Sequence, residues 1–554
     1  MNIVTGLPSM IPVRIVNLIL LACLLGAGFG GGATAARADI SVGIVDEDGV
    51  RRAIKEYLDS GASLPLSIKA HKEGLEDYYL QSKGAFLWIQ PGKLDAFAEL
   101  LSSSAEDGLF PRDYAVDHIR KLRDTVHSKD MRLRAWLELS YSSFLIRYAQ
   151  DLGGGRILPN KIDSDIFIDR ARPNGAAILE AFSKSGSMND FSLSQMPADE
   201  QYQRLRGKLA EYRLIAEGGG WTTVPRGPAL KPGMKGRRVE KLRARLEFSG
   251  DIEYSGTNRS SFDTGLKEAV KRFQGRNGIK ADGVAGKRAI VTLNIPASDR
   301  VRQIEVNMER WRWIRDVQSQ RLLTINLANN SFRYEVGTEI VQQNHLSRRK
   351  RNAKTPVLSD QISSVIVRPS DIVPPEIAGP AYFDKASSDP KKFADKGAQI
   401  YYKGRNVPAE AVDWETYSTE NFPFTVRRPL RKGDPAGYVR LVFSGTDAAC
   451  LGGAVPQKAG GRKDQFAPDC LTLVRADEFA NALLAQNSQT LDAILANEKR
   501  QHSVYSSPFD QPIPVRILYA TAWVDDGGNL HFRPDYAHRD LKLYKALEGR
   551  HSNR

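Results

Sequence analysis

The chain is poor in cysteine and histidine, and beyond its N-terminal segment it lacks long apolar runs. It contains 3 cysteines and 8 histidines among 554 residues. So few cysteines exclude a small fold held together by many disulfides. No group of His, Cys, Asp and Glu shows the spacing of metal ligands, and no later segment is apolar enough to cross a bilayer. We therefore expect no metal, no cofactor and at most a peripheral association with membranes.

The first 38 residues have the features of a secretory signal peptide. Arg14 precedes the apolar run 15–27, and the segment ends in the small-x-small sequence Ala36-Arg37-Ala38. The apolar run is short for a membrane-spanning helix. We expect cleavage after Ala38 and export from the cytoplasm, with retention of the segment as an anchor as the alternative.

The chain is basic, with a formal net charge of +14 that becomes +12 when the two basic residues of the signal segment are removed. A basic surface favours polyanions or an anionic cell envelope, and it also keeps a protein soluble without any binding role. An exported chain without a basic helix interleaved with aromatic residues does not fit a nucleic-acid-binding protein. We therefore expect no nucleic-acid partner.

Residues 39–220 have the apolar periodicity of helices, and we call them the N-terminal helical domain. One apolar stripe at helical spacing ends at the glycines 153–155 and comprises Trp136, Tyr141, Phe144, Leu145, Tyr148 and Leu152. No catalytic constellation occurs in this region. We expect it to be a structural scaffold domain.

Residues 226–296 contain three short motifs, and we call this segment the three-helix module. The motifs are Gly233-x-x-Gly236-x-x-Val239, Ala269-Val270-x-x-Phe273-Gln274 and Asp282-Gly283-x-x-Gly286. Their glycines permit tight turns between short amphipathic helices. The segment resembles the small peptidoglycan-binding module, which implies contact with cell-wall glycan or stem peptides. These positions are mainly core and turn positions, so they indicate the fold more strongly than the ligand.

Residues 301–545, the C-terminal domain, consist of short β-rich runs separated by Gly, Pro and Asn turns. Four features are notable: Asn307-x-x-Arg310-x-Arg312, Thr355-Pro356-x-x-Ser359, a long polar insertion at 371–421 after Val373-Pro374-Pro375, and Trp523-Val524-x-x-x-Gly528. With the two preceding regions, they resemble the large Gram-negative type of L,D-transpeptidase with a YkuD-like catalytic domain. The resemblance implies an α+β multidomain fold and a location in the periplasm.

The resemblance also implies roles for particular residues. In this family the insertion acts as a lid, so Trp414 within it is a candidate substrate-binding residue, although a protein-binding surface is an equal reading. Family members cross-link peptidoglycan through a cysteine thiolate, which expels the terminal D-alanine of one stem peptide and forms a thioester. The amine of a second stem peptide then resolves the thioester. Cys470 aligns with this nucleophile.

The usual companions of that cysteine are missing. Asp469 replaces a glycine, Thr472 replaces an arginine, and the window 441–456 lacks the expected histidine. A carboxylate beside a thiol raises the pKa of the thiol, which disfavours the attacking thiolate. Asp469 and Thr472 remain candidate substrate contacts.

Cys450 lies about one strand upstream, where the histidine is expected. An oxidising compartment allows a disulfide between Cys450 and Cys470. Three fates of Cys470 therefore stay open: disulfide partner, reactive nucleophile or inert buried thiol. The C-terminal histidines that could act as a remote base are His345, His502, His531 and His538.

Two functions follow from these alternatives. One is a peptidoglycan-binding scaffold that retains the transpeptidase fold without its chemistry. The other is an active L,D-transpeptidase that uses Cys470 with an unconventional base. In both cases the expected partners are peptidoglycan stem peptides and glycan, together with other envelope proteins.

Overall fold

A computed structural model describes residues 46–549 except 62–63, 171, 255–257, 315–318, 347–355, 368–369, 374, 430–438, 446–450, 454–470, 474, 486–488 and 497–504. It is helical in its N-terminal part and β-rich in its C-terminal part. The predicted α+β multidomain fold class is therefore confirmed. Within the described residues, no helix has both the length and the apolarity that a membrane span requires.

The α-helices of the described residues follow one another from the N-terminal helical domain to the end of the chain. They are α1 Glu47–Asp59, α2 Leu66–Lys69, α3 Lys72–Glu76, α4 Pro91–Ser103, α5 Val116–Arg123, α6 Met131–Gly154, α7 Pro159–Ile162, α8 Gly175–Lys184, α9 Met188–Gln195, α10 Glu200–Glu217, α11 Arg237–Phe248, α12 Thr264–Arg276, α13 Lys287–Leu293, α14 Ala297–Trp313, α15 Pro375–Ser388, α16 Pro390–Asp395, α17 Ala476–Leu484, α18 Leu491–Ala496 and α19 Arg539–Gly549.

The strands lie almost entirely in the C-terminal domain. They are β1 Ile166–Phe167, β2 Arg321–Asn326, β3 Ser331–Val336, β4 Glu339–His345, β5 Val357–Val367, β6 Ser370–Val373, β7 Gln399–Tyr402, β8 Arg405–Val407, β9 Thr425–Pro429, β10 Val439–Phe443, β11 Leu451–Gly453, β12 Leu471–Leu473, β13 Tyr505–Leu518, β14 Ala522–Val524 and β15 Leu530–Phe532.

Helix α6 is the central helix of the N-terminal helical domain, and most of its residues are buried. Asp130 caps its first turn by accepting a hydrogen bond from the Arg132 N–H at 2.8 Å. It ends before Gly155, whose φ of 82° is a left-handed value that favours glycine. The aromatic stripe predicted from the sequence therefore forms a helix that ends at the predicted glycines.

Glu138 is a buried acid on α6. It accepts hydrogen bonds from the Tyr79 hydroxyl at 2.7 Å and from the N–H groups of Leu87 and Trp88 at 3.1 and 2.9 Å. Burial raises the pKa of Glu138 to about 7, against the effect of these hydrogen bonds. The folded protein therefore holds a proton here at a pH where the unfolded chain has released it.

We expect the free energy of unfolding to fall as the pH rises from about 4.5 to about 7, by about 3 kcal/mol from Glu138 alone. A folded-state pKa above the unfolded value stabilises the protein below the unfolded pKa, and this contribution disappears through the folded pKa. Glu138→Gln removes this pH dependence, which urea unfolding at pH 5 and pH 8 measures. Glu99→Gln, at an exposed acid on α4, serves as the control. An unchanged slope in Glu138→Gln contradicts the prediction.

The main sheet of the C-terminal domain has the strand order β12-β11-β10-β5-β13-β2-β3-β4. An antiparallel bridge between Leu346, directly after β4, and Leu473 in β12 joins the two ends of this order. The sheet therefore closes on itself around an apolar core. Helix α17 packs into that core, where Phe479 contacts the rings of Phe332 and Tyr334.

The N-terminal helical domain and the C-terminal domain are not independent. Strand β1, in the N-terminal region, pairs in parallel with β5, with Ile166 opposite Val357. Helix α14, which spans the predicted start of the C-terminal domain, packs against α6, α10 and α19. This shared core contains Ile162, Val306 and Trp313. The linear order of segments predicted none of these contacts.

Candidate functional site

Most residues of the predicted cysteine site fall outside the described part of the chain. Cys450, Asp469 and Cys470 lie outside the described residues, so their predicted roles stay predictions. The fourth, Thr472, lies in strand β12, where its backbone is paired with that of Gly452. Its role as a substrate contact also stays a prediction.

The structure does describe the two short strands that follow the cysteines. Leu451 in β11 is the register partner of Leu471 in β12, and the two strands run parallel. Both leucines are buried in the core beneath α17. Because Leu346 bridges to Leu473, β12 lies between β11 and the end of β4 rather than at an open edge. Strand β12, which directly follows Cys470 in the sequence, is therefore held on both sides.

Two of the four histidines considered as a remote base are exposed, and one lies outside the described residues. His345 is the exposed last residue of β4, and His538 is exposed with a φ of 55° just before α19. His502 lies outside the described residues. Among the residues that the structure describes, neither the His345 nor the His538 imidazole has a hydrogen-bond partner.

The fourth of these histidines, His531, has a carboxylate partner. Its Nε2 lies 2.7 Å from an Asp525 carboxylate oxygen, and its ring stacks on Trp523 with 5.1 Å between centroids. Burial lowers the pKa of His531, and Asp525 opposes that effect. Asp525 also accepts a hydrogen bond from the Asn529 N–H at 2.8 Å. This pair stabilises the β14–β15 hairpin, which is separate from the sheet containing β12.

The insertion extends from β6 to β9, residues 370–429, and has an apolar core of its own. Trp414 is half-buried in that core. Its indole N–H donates to the Ala409 carbonyl at 2.9 Å, and its ring stacks with Phe422 at 6.2 Å and contacts Phe383. Trp414 thus holds the insertion together, and its predicted contact with substrate stays a prediction.

The motif residues of the three-helix module are core and turn residues, as the sequence analysis suggested. Gln274 donates to an Asp282 carboxylate oxygen at 2.8 Å and to the Val284 carbonyl at 2.9 Å. Its side-chain oxygen accepts the Gly283 N–H at 2.9 Å. Gly283 has a φ of 75°, which a residue with a side chain adopts only with strain. The side-chain amide of Gln274 therefore holds the Asp282-Gly283 turn against α12.

The Asn-x-x-Arg-x-Arg motif lies on α14 and joins domains rather than lining a reaction site. Asn307 accepts the Thr521 N–H at 2.9 Å and donates to its hydroxyl at 2.8 Å. Arg310 forms an ion pair with Asp540 at 2.6 Å. Arg312 is buried and donates to the Tyr202 hydroxyl at 3.1 Å in the N-terminal helical domain. The motif connects α14 to α10 and to the C-terminal part of the chain.

Sequence reasoning missed the arginines where the three-helix module meets α14 and the hairpin. Arg300 is buried, and Arg533 donates to the Arg276 carbonyl of the module at 2.9 Å. Single arginines in a basic chain carry no periodic signal, so nothing in the sequence separates them from surface cations. Among the residues that the structure describes, no His, Cys, Asp and Glu group could hold a metal ion.

Comparison with protein families gives two matches. Residues 73–209 match the family described as "Scaffold domain", and residues 235–293 match the "Putative peptidoglycan binding domain". A curated protein of Haemophilus influenzae, named "Putative L,D-transpeptidase", is 24% identical over 255 residues. That alignment covers 45% of this chain and 50% of the relative, so the chain spans half the length of this relative.

Two solved structures were also matched. The L,D-transpeptidase of Xylanimonas cellulosilytica (residues 123-326) is 12% identical, covers 53% of this chain and 99% of its own, and has a TM-score of 0.13. A fused Zn-dependent amidase/peptidase/peptidoglycan-binding domain-containing protein of Clostridium acetobutylicum is 13% identical, covers 25% and 71%, and has a TM-score of 0.12.

The chain carries a peptidoglycan-binding domain. Its predicted resemblance to the L,D-transpeptidases is confirmed by the relative from Haemophilus influenzae.

Proposed function

We propose that this chain is a periplasmic, peptidoglycan-binding protein of the L,D-transpeptidase type that acts in cell-wall cross-linking or remodelling as a non-catalytic scaffold. The observation that carries the proposal is the peptidoglycan-binding domain at residues 235–293, attached to a transpeptidase-like chain. The signal-like segment and the basic charge support an address in an anionic envelope.

The missing helpers of Cys470 support the scaffold over the enzyme. An active thiol needs a base that removes its proton and donors that stabilise the oxyanion. Residues 441–456 contain no histidine, and His531 is engaged with Asp525 in another sheet. An unassisted thiol has a pKa of about 8.5 and is mostly protonated at neutral pH.

We propose a disulfide between Cys450 and Cys470 as the fate of the thiol. Each cysteine directly precedes one of two leucines, Leu451 and Leu471, that are register partners in parallel strands. Neighbouring strands lie about 4.8 Å apart, and disulfides join Cα atoms separated by about 5.5 Å. Because Leu451 and Leu471 are register partners, we expect the two cysteines that precede them to be close enough to form a disulfide in an oxidising compartment.

Alkylation with iodoacetamide, followed by intact mass measurement, tests the disulfide in the mature chain. We expect no label in denaturant without reductant and two labels after reduction. Cys450→Ser and Cys470→Ser should each accept one label without reductant, because each releases its partner. Two labels on the unreduced wild-type chain, one added rapidly near neutral pH, contradict the disulfide and favour the enzyme.

Sedimentation with purified sacculi tests the wider function. We expect the mature protein to pellet with sacculi and to stay in solution after their digestion by a muramidase. Muropeptide analysis of the incubated sacculi should show no new cross-links. A protein that remains in the supernatant with intact sacculi rules out the proposed wall association.

Active transpeptidation is the second candidate, supported by the name of the Haemophilus influenzae relative. In that case the Cys470 sulfur bonds to the donor carbonyl carbon, the amide breaks, and D-alanine leaves with the proton on its amine. The acceptor amine then displaces the sulfur. New cross-links that disappear in Cys470→Ser, with wall binding retained, identify this outcome.

A further inference from the structure

A cavity of about 460 Å³ lies where the three-helix module meets α14 and the segment after β15. The module contributes Asn277, Arg288 and Thr292 to its lining, α14 contributes Arg300, and the C-terminal segment contributes Arg533. Its volume is in the range of ligand-binding clefts, and such clefts occur preferentially between domains. Arg302 of α14 also lines it, so four arginines from three parts of the chain line one cavity.

Arg300 is a buried cation with neutral partners. It is 7% exposed, and its guanidinium donates to the side-chain oxygens of Gln303 at 2.7 Å and Asn277 at 3.0 Å. The group lies over the Phe532 ring, 4.1 Å from the centroid. Burial lowers the pKa of Arg300 to about 10.

Arg533 is a half-buried cation that also has neutral partners. Its guanidinium donates to Asn329 at 2.7 Å and to the Arg276 carbonyl at 2.9 Å, and it lies over the Trp523 ring at 4.7 Å. Burial alone lowers the pKa of Arg533 to about 10. Within the described residues, neither Arg300 nor Arg533 has a carboxylate within ion-pair distance.

The acidic residues that line the cavity are engaged elsewhere. Asp299 faces Arg302 at 3.2 Å, and Asp540 pairs with Arg310 at 2.6 Å. Asp535 accepts N–H groups from the first two residues of α19 at 2.9 and 2.8 Å. Among the described residues, none of these carboxylates forms an ion pair with Arg288, Arg300 or Arg533.

We propose that this cavity is a subsite that binds a carboxylate of a peptidoglycan stem peptide. An anion stabilises a buried guanidinium more than a neutral partner does. The reason is that hydrogen bonds from a guanidinium to a carboxylate are charge-assisted and stronger than those to a neutral amide. Stem peptides carry free carboxylates, and the peptidoglycan-binding domain forms one wall of the cavity. The proposal rests on the proposed wall binding.

Thr292 offers a test that leaves the arginines in place. It lines the cavity on α13, and its hydroxyl donates to the Arg288 carbonyl of its own helix at 2.9 Å. Glu and Lys are better helix formers than Thr, so both variants should fold. We expect Thr292→Glu to weaken binding of a soluble disaccharide tetrapeptide about tenfold by repulsion, and Thr292→Lys to preserve or tighten it.

Isothermal titration calorimetry of the full mature protein measures these affinities. Val291→Glu, at a residue 55% exposed on the same helix, adds the same charge outside the cavity lining and should leave the affinity unchanged. The same tetrapeptide with methylated carboxylates should bind at least tenfold more weakly to the wild-type chain. Equal binding of the methylated peptide, or equal affinities in Thr292→Glu and Thr292→Lys, overturns the subsite.

Competition with acetate distinguishes a site for any small carboxylate from a site for the stem peptide. If acetate competes at the same concentration as the tetrapeptide, the cavity recognises any small carboxylate and the stem-peptide assignment is wrong. The sacculus experiment remains independent of this outcome. If all variants bind sacculi and the charge at position 292 does not change the affinity for the tetrapeptide, only the subsite is overturned. If the wild-type protein does not bind sacculi, the proposed function is overturned.

Discussion

Glu309→Ala should lower the free energy of unfolding by about 5 kcal/mol, or prevent folding altogether. Glu309 is fully buried on α14 and accepts the N–H groups of Arg156 and Ile157 at 2.6 and 2.9 Å. It also pairs with the buried Arg312 at 3.1 Å and accepts the Trp313 indole N–H at 3.2 Å. Alanine leaves a buried cation and buried donors without their acceptor, and each loss is costly.

Urea unfolding followed by tryptophan fluorescence measures this effect. The matched control is Arg302→Ala, on the same helix, which removes an exposed ion pair with Asp299. Because exposed pairs contribute little, we expect the control to change the free energy by less than about 1 kcal/mol. A Glu309→Ala protein within that range of the wild type would show that the buried network is not stabilising.

Gly155→Ala should cost about 4 kcal/mol at the same junction, from two sources. The φ of Gly155 is 82°, so any side chain adopts a strained backbone there. A Cβ would also lie 2.6 Å from Cδ1 of Trp313 and 2.9 Å from the Glu309 carboxylate. Both neighbours are buried and held by hydrogen bonds, so neither has room to move.

Gly219→Ala separates the two sources. Gly219 has a comparable φ of 89°, and a Cβ there would meet nothing within 4 Å. This control carries the backbone strain without the clash, and we expect it to cost about 1 kcal/mol. Equal losses in the two variants, measured by the same urea unfolding, would mean that the close approach to Trp313 has no energetic effect.

Much of the secondary structure could be predicted because it depends on local signals. The stripe of α6 and the Phe273-Gln274 motif of α12 have helical spacing, and glycines mark the ends of these segments. The closure of the sheet could not be predicted, since the bridge from Leu346 to Leu473 joins distant strands without any signature of its own. Periodicity identifies the buried face of a strand but not its neighbours.

The same distinction between local signals and distant contacts applies to the candidate site. The resemblance identified Cys470 and its missing companions from linear motifs. It also drew attention to Asn307, Arg310 and Arg312, whose contacts in the structure join domains. The arginine cavity depends on three segments that only the folded chain brings together, so no pattern in the sequence indicates it.

The contacts between the N-terminal helical domain and the C-terminal domain have a consequence for biogenesis. Arg156 donates to the carbonyl of Leu547 at 3.1 Å across 391 residues of sequence, and β1 completes a sheet whose other strands are synthesised later. A chain delivered N-terminus first cannot finish this assembly until its last helix arrives, because such distant contacts form late. A product truncated before α19 would therefore lack contacts that complete its helical half. Such a product would be a substrate for proteases.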